Sequence, residues 1–312
     1  MWDESFGKQD PSISSALEHE DGDMAFELMH SLLDKVWKEC FRVLKAGAFA
    51  CINVGDAVRT LGGNFRLYPN HSRIMAGFGA AGFQALPFIL WRKPTNAPNK
   101  FMGSGMLPSG AYVTLEHEYI LVFRKGGKRS FTGADQERRR RSAFFWEERN
   151  SWFSDIWDLR GSRQSLEGNG ARNRSAAFPF ELAFRLVQMY SLQEDTVLDP
   201  FLGTGTSSAA ALVSGRNSIG IELEREFFPS VEARLSSAEE FGTLRQKRRL
   251  ADHHTFIEEY RIKQSKEPKH LNIPYGFPVI TRQECYLSLP LISKIKQKPD
   301  PDIFFKAEHI LP

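Results

Sequence analysis

One stretch of this chain constrains its fold more than any other: an apolar strand that runs straight into a glycine turn. Thr196-Val197-Leu198-Asp199-Pro200-Phe201 leads into Leu202-Gly203-Thr204-Gly205-Thr206, and a run of small residues follows. A strand end that turns sharply into a helix while its backbone touches a ligand favours positions without side chains, here Gly203 and Gly205. Ligands of open α/β sheets bind beyond the carboxyl ends of the strands. Asp199 places a carboxylate there, able to pair with an ammonium. Glu222 closes the next apolar run, Ser218-Ile219-Gly220-Ile221-Glu222, where a carboxylate can accept both hydroxyls of a ribose. An ammonium and a ribose on one ligand describe S-adenosylmethionine. Two other readings stay open from these residues alone: a plain glycine turn of an α/β protein, and a dinucleotide site. The full G-x-G-x-x-G is not met, because Ser208 stands at the third glycine, and no Walker lysine follows.

The surrounding pattern alternates between strand and helix. Residues 24–44 carry Phe26, Met29, Leu32, Leu33, Val36, Trp37, Phe41 and Leu44 at helical spacing. Lys45-Ala46-Gly47 then supplies the cation and glycine that helix ends favour. Residues 48–56, 83–91 and 118–123 predict buried strands, and residues 74–82 a helix weakened by its glycines. Residues 96–112 read as a loop. Helices are expected after Phe180, over 206–214 and over 229–238. The alternation predicts an α/β, Rossmann-like fold, with a mostly parallel sheet and helices on both faces. Beyond the basic run 245–249 the pattern decays. Residues 263–274 and 294–301 are rich in lysine and proline, and the tail is expected to wrap the domain or contact a partner.

Composition limits the function classes. Hydrophobic residues make up 41% and charged residues 25%, which supports an ordinary core without a metal or disulfide staple. Cys40, Cys51 and Cys285 form no CxxC pair and no metal-ligand spacing, so no metal is expected. No apolar run reaches membrane-spanning length and the first residues do not read as a signal peptide; a cytoplasmic protein is expected. The net charge is only +3, yet residues 125–175 hold twelve Lys/Arg against seven Asp/Glu. Arg138, Arg139, Arg140 and Arg141 sit there in a row, followed by Phe144, Phe145, Trp146, Trp152, Phe153 and Trp157. Basic side chains neutralise phosphates and aromatics stack on bases, although a charge run beside a core-packing aromatic cluster gives the same pattern.

The loop 199–206 has company that sharpens the reading. With Phe178-Pro179-x-Glu181-Leu182 before it and Gly215-Arg216-Asn217-Ser218-Ile219-Gly220-Ile221-Glu222 after it, it resembles the amino-methyltransferases of bacterial restriction–modification systems. These methylate cytosine N4 or adenine N6 in DNA. The likeness includes Arg42-Val43-Leu44-Lys45-Ala46-Gly47, Trp91-Arg92-Lys93 and His117-Glu118-Tyr119-Ile120-Leu121, and spans residues 24–235. The motif order is similar to that of the permuted group, in which the cofactor loop follows the catalytic half. The resemblance implies S-adenosylmethionine as cofactor, double-stranded DNA as partner and a companion restriction endonuclease. It implies cofactor contacts from Phe178, Pro179, Asp199, Phe201, Gly203, Thr204, Gly205, Thr206 and Glu222. It also implies a division into a catalytic half (1–124), a candidate target-recognition segment (125–175), a cofactor half (176–245) and a C-terminal extension (246–312).

One family motif is not found. Members carry Ser/Asp-Pro-Pro-aromatic just before a segment like Met1-Trp2-Asp3. Its polar group and a proline carbonyl hold the flipped base's amino group, and its aromatic stacks on the base. No such tetrapeptide occurs in these 312 residues, so the catalytic residues are unassigned. The chain is expected to start just after that motif and to lack one central strand. Residues 49–54 and 197–201 would then flank a gap in the sheet, leaving the chain poorly stable and inactive by itself. The Met-Trp-Asp segment leans to a Ser-Pro-Pro-Tyr form and hence to cytosine N4. Adenine-N6 transfer and an inactive DNA- or cofactor-binding remnant are the alternatives. A cytosine-C5 enzyme is disfavoured for want of its Pro-Cys nucleophile.

Overall fold

The computed structural model describes residues 6–93, 102–103, 106–161, 178–298 and 304–311. The chain divides into two compact units, Met1–Arg129 with Asp155–Arg160, and Ser130–Ser154 with Gly161–Pro312.

The first unit opens with α1 (Pro11–Glu18) and α2 (Gly22–Val43). Asp21 caps α2, accepting the Met24 N–H at 2.9 Å, and the apolar stripe buries Ala25, Phe26, Met29 and Trp37. The cation in its last turn is Arg42. Lys125, from a distant strand, donates to the carbonyls of Phe41 and Leu44 at 2.6 and 2.8 Å. Strand β1 (Phe49–Val54) follows, then a hairpin of β2 (Ala57–Leu61) and β3 (Asn64–Tyr68), then α3 (Asn70–Ala81) and β4 (Phe83–Arg92). A short pair, β5 (Met102–Gly103) and β6 (Ala111–Tyr112), precedes β7 (His117–Lys125), and β8 (Ile156–Asp158) completes the unit.

Four strands form one sheet in the order β1-β7-β4-β8. β7 runs antiparallel to both neighbours, and β4 and β8 are parallel. The sheet is therefore mixed rather than mostly parallel. Among its described residues the connection from β4 to β7 contains no long helix, and a parallel pairing would need a crossover of about a dozen residues or more, usually helical. Ile120, Leu121, Val122 and Phe123 in β7 are all buried, as a strand covered on both faces requires. Trp37, Ile74, Phe78, Phe83, Leu121 and Phe123 make the core between sheet and helices.

The second unit begins with α4 (Ala134–Arg141) and α5 (Trp146–Trp152), then α6 (Phe180–Tyr190), β9 (Thr196–Asp199), α7 (Thr206–Val213), β10 (Asn217–Gly220) and α8 (Phe228–Ser236). β9 and β10 pair in parallel. Among the described residues, β9 pairs only with β10 and β1 only with β7, so each keeps one open edge.

The region read as patternless after residue 245 is ordered. A 27-residue helix, α9, runs from Ala238 to Gln264. Its buried positions are Ala238, Gly242, Gln246, Arg249, His253 and Ile257. They fall at helical spacing, but half of them are polar, so hydrophobic periodicity does not reveal the helix. Gly242 lets α9 cross α7 closely, since a Cβ there would lie 2.7 Å from Val213. The tail then adds β11 (His270–Leu271) paired with β12 (Pro278–Val279), and a hairpin of β13 (Leu291–Lys298) and β14 (Phe304–Ile310). Ile292 joins Trp152, Phe184, Ala210, Val213 and Ala238 in the unit's main core. The tail is thus built into that core.

Candidate functional site

The glycine turn sits where the strand ends. Gly203 and Gly205 have φ of 56° and 79°, the left-handed region that favours glycine. A Cβ on Gly205 would also approach Val231 of α8 at 3.2 Å. Gly205 stands immediately before α7, so the amides of that helix's first turn face outward from the strand end.

Two carboxylates frame the turn. Asp199 Oδ1 accepts the Phe201 N–H at 3.0 Å. Glu222 accepts the Gly203 N–H at 2.7 Å through Oε2 and the Glu224 N–H at 2.9 Å through Oε1. Each Glu222 oxygen retains a further acceptor site, since a carboxylate offers about four. Phe201, Ile221 and Leu223 beside them are exposed. Carboxylates with spare acceptor sites beside exposed apolar side chains can take an ammonium, hydroxyls and an apolar ring, groups that S-adenosylmethionine carries. The structure thus brings Asp199, Phe201, Gly203, Gly205 and Glu222 together. Thr204 and Thr206 lie in the same turn, but their side chains are buried. Pro179 stands immediately before α6, and Phe178 packs partly buried against the main core of the unit.

The basic aromatic segment differs from its sequence reading. Phe145, Trp152 and Trp157 are 0%, 3% and 1% exposed, so these three belong to the interior and cannot stack on bases. Trp146 and Phe153 remain exposed. The four arginines of α4 are not equivalent. Arg138 pairs with Asp135, and Arg141 with Glu194 at 2.9 Å. Arg139 and Arg140 have no carboxylate partner among the described residues and lie over the rings of Phe131 and Tyr286 at 4.5 and 5.6 Å.

Behind this segment lies a charged network that the sequence did not reveal. Arg249 of α9, 1% exposed, makes a two-pronged pair with Glu148 of α5 at 2.6 and 2.8 Å. His253, one turn on, has Nδ1 2.9 Å from Glu147 and Nε2 3.0 Å from the Pro278 carbonyl. Both ring nitrogens face acceptors, which the doubly protonated ring satisfies. Burial alone pulls His253 down, but Glu147, the Pro278 carbonyl and Glu284 offset this and leave it raised.

The first unit gathers polar groups at the ends of its strands. Asp56, just past β1, accepts from His71 Nδ1 at 2.7 Å and from the His71 N–H at 3.1 Å. The His71 ring stacks on Tyr119 at 4.0 Å. Glu118 at the start of β7 accepts from Asn53 at 2.6 Å and pairs with Lys93 beyond β4. Sequence reasoning named Lys93 and Glu118 only through resemblance and passed over Asp56 and His71. The available signal was a polar cluster, Asn53 to Asp56, closing an apolar strand. Among the described residues there is no group of three metal-ligating side chains, and no helix is long and apolar enough to cross a membrane.

The chain is similar to known DNA methyltransferases. A family model described as DNA methylase, of the N6/N4 type, matches residues 3–233. Type II methyltransferase M.MthZI of Methanothermobacter thermautotrophicus is 51% identical over 287 residues, covering 91% of this chain and 79% of that protein. M.MjaI of Methanocaldococcus jannaschii is 47% identical over 246 residues, covering 75% and 80%. Among solved structures, a DNA modification methylase of Thermus thermophilus in complex with S-adenosyl-L-methionine is similar, with a TM-score of 0.57 and 35% identity. The match covers 69% of this chain and 79% of that one.

Proposed function

Because the chain belongs to the DNA methylases of the N6/N4 type, which use S-adenosylmethionine, we propose that it methylates cytosine N4 in duplex DNA. The observation that carries the cofactor half of this reading is the turn itself. Two carboxylates, Asp199 and Glu222, converge on a left-handed Gly203–Gly205 backbone at a strand end.

When bound, S-adenosylmethionine supplies an electrophilic methyl group. Asp199 pairs with its ammonium and Glu222 accepts the ribose hydroxyls. The turn backbone and Phe201 line its surface, with Phe178 and Pro179 on the methionine side. The exocyclic nitrogen attacks directly, so no protein nucleophile is required; holding its lone pair in line with the methyl group is the demand. No Ser/Asp-Pro-Pro-aromatic tetrapeptide occurs among the 312 residues, so the group that holds that nitrogen is unassigned. The lean to cytosine rests on the Met1-Trp2-Asp3 segment, and DNA contact is assigned to residues 125–175.

The test is transfer of labelled methyl to DNA of mixed sequence. It is run with these 312 residues and with the same chain preceded by a segment ending in Ser-Pro-Pro-Tyr. Chromatography of the digested DNA separates the products. The extended chain is expected to yield N4-methylcytosine and the 312-residue chain none. N6-methyladenine as product would move the assignment to adenine. Robust transfer by the 312 residues would remove the clamp argument.

A further inference from the structure

Tyr286 stands in the tail between β12 and β13, and the chain around it is pinned to the second unit. Asn272, buried, donates to the carbonyls of Glu284 and Leu287 at 2.8 and 2.9 Å. Leu287 shares a core with Phe145, and the Glu284 side chain accepts the Trp146 N–H at 2.9 Å. Ser288 donates its N–H at 3.1 Å to the carbonyl of Arg141, the last residue of α4. Gln193 donates to the carbonyls of both Arg141 and Ser288, at 3.3 and 2.9 Å. Leu287 and Ser288 are buried, whereas Tyr286 is exposed. The backbone is thus fixed beside α4 while the ring stands at the surface.

The ring carries a cation. The Arg140 guanidinium lies 5.6 Å from its centre, as that of Arg139 lies 4.5 Å from the centre of Phe131. Both arginines are exposed. Arg141 is held differently, because its Nη2 donates to Glu194 at 2.9 Å. A carboxylate engages the N–H donors and cancels the charge. An aromatic face restrains the guanidinium but leaves its charge and its planar fork of donors for another acceptor. The paired oxygens of a phosphate are an acceptor that this fork fits. Ordering a long arginine side chain is costly, and a side chain that is already held loses less freedom on binding.

We propose that Tyr286 is a positioning residue that holds Arg140 ready for a phosphate of duplex DNA. The proposal rests on the reading that residues 125–175 contact DNA, and it extends that surface to a residue outside them.

The test is filter binding of the full chain to short duplexes of mixed sequence, arranged as a double-mutant cycle on Tyr286 and Arg140. Tyr286→Leu removes the aromatic face. It is expected to weaken binding about twofold to fivefold, the range of an exposed cation–π contact. Tyr286→Phe keeps the face and is expected to bind as the unaltered protein does. In an Arg140→Gln background, Tyr286→Leu is expected to cost nothing more. Unchanged binding by Tyr286→Leu overturns the proposal. Additive losses in the cycle overturn it too, since the ring would then act on DNA without Arg140, and so does an equal loss in Tyr286→Phe. If Tyr286→Leu melts early, Tyr286→Gln, suited to an exposed site, replaces it in the cycle with the same expectations. Joint replacement of Arg139 and Arg140 by Gln separates the levels. If the unaltered protein binds no duplex, or this variant binds and responds to salt as the unaltered protein does, the DNA reading of the segment fails and this proposal falls with it. If this variant weakens while Tyr286→Leu does not, the proposal alone fails.

Discussion

The cofactor turn and the basic aromatic segment look equally chemical in sequence, yet they use their charges in opposite ways. Around the turn, Asp199 and Glu222 accept backbone N–H groups alone among the described residues and keep acceptor capacity at the strand ends. In the segment, several charges are taken up within the protein: Glu147 by His253, Glu148 by Arg249, Arg138 by Asp135, Arg141 by Glu194. The lesson is that a local motif built for a ligand is legible because its residues answer the ligand. A charge cluster is ambiguous because partners such as Arg249, His253 and Glu194 are distant in sequence.

The largest expected effect follows from the buried pair. Glu148→Gln leaves Arg249 uncompensated at 1% exposure. Breaking a buried pair by removing one partner costs about 3–5 kcal/mol. Urea unfolding followed by fluorescence should show a loss of that order, while molecules still folded bind the cofactor as before. An unchanged midpoint would mean that water reaches the pair, and the contrast with the turn would weaken.

Glu222→Ala tests the other side. Loss of its charged hydrogen bonds to the ribose should weaken S-adenosylmethionine by about 1.5–3 kcal/mol, read by calorimetric titration. Binding indifferent to this change in folded protein would sink the ribose assignment.

The same contrast explains what was readable. α2, β1, β4, β7, α6, β9, α7 and α8 follow from apolar periodicity, because each carries an apolar stripe or run, buried in the helices, β4 and β7 and half-buried in β1 and β9. α9 escaped because its buried stripe includes Gln246, Arg249 and His253, and the partners of Arg249 and His253 on α5 lie about a hundred residues away. The β2–β3 hairpin was missed although Gly62-Gly63 marks its turn; both have positive φ, 55° and 72°, as favoured two-residue hairpins require. In the site, Asp199 and Glu222 were legible from motif chemistry. β7's antiparallel direction was equally hidden, because strand polarity is set by the connection and not by the strand's own residues.

A smaller effect concerns pH. His253 is raised, with Glu147, the Pro278 carbonyl and Glu284 outweighing its burial. The rings of Phe145 and Phe277 pack against it. A group raised in the folded state contributes stability that is fully present below its unfolded pKa, about 6.5. That contribution is lost as pH rises through the folded value. Unfolding free energy should therefore fall over that alkaline-going range, and His253→Gln should flatten the fall. A His253→Gln protein with the same pH profile would show that other groups carry it.

The subtlest prediction divides the four arginines. α4 buries none of its residues, so all four could reach DNA. Arg138 and Arg141 must first release Asp135 and Glu194, whereas Arg139 and Arg140 rest only on the rings of Phe131 and Tyr286. Each phosphate contact contributes about 0.9 to the slope of log K against log salt. Replacing Arg139 and Arg140 with Gln should reduce that slope by about 2 if both touch phosphates, and lower affinity across sequences alike. The Arg138, Arg141 double replacement should change it less, because those charges are already compensated in the free protein. Filter binding on random duplexes at several salt concentrations reads both. Equal slope changes for the two pairs would mean that DNA displaces the internal carboxylates. The segment's charges would then be as available as those of the turn.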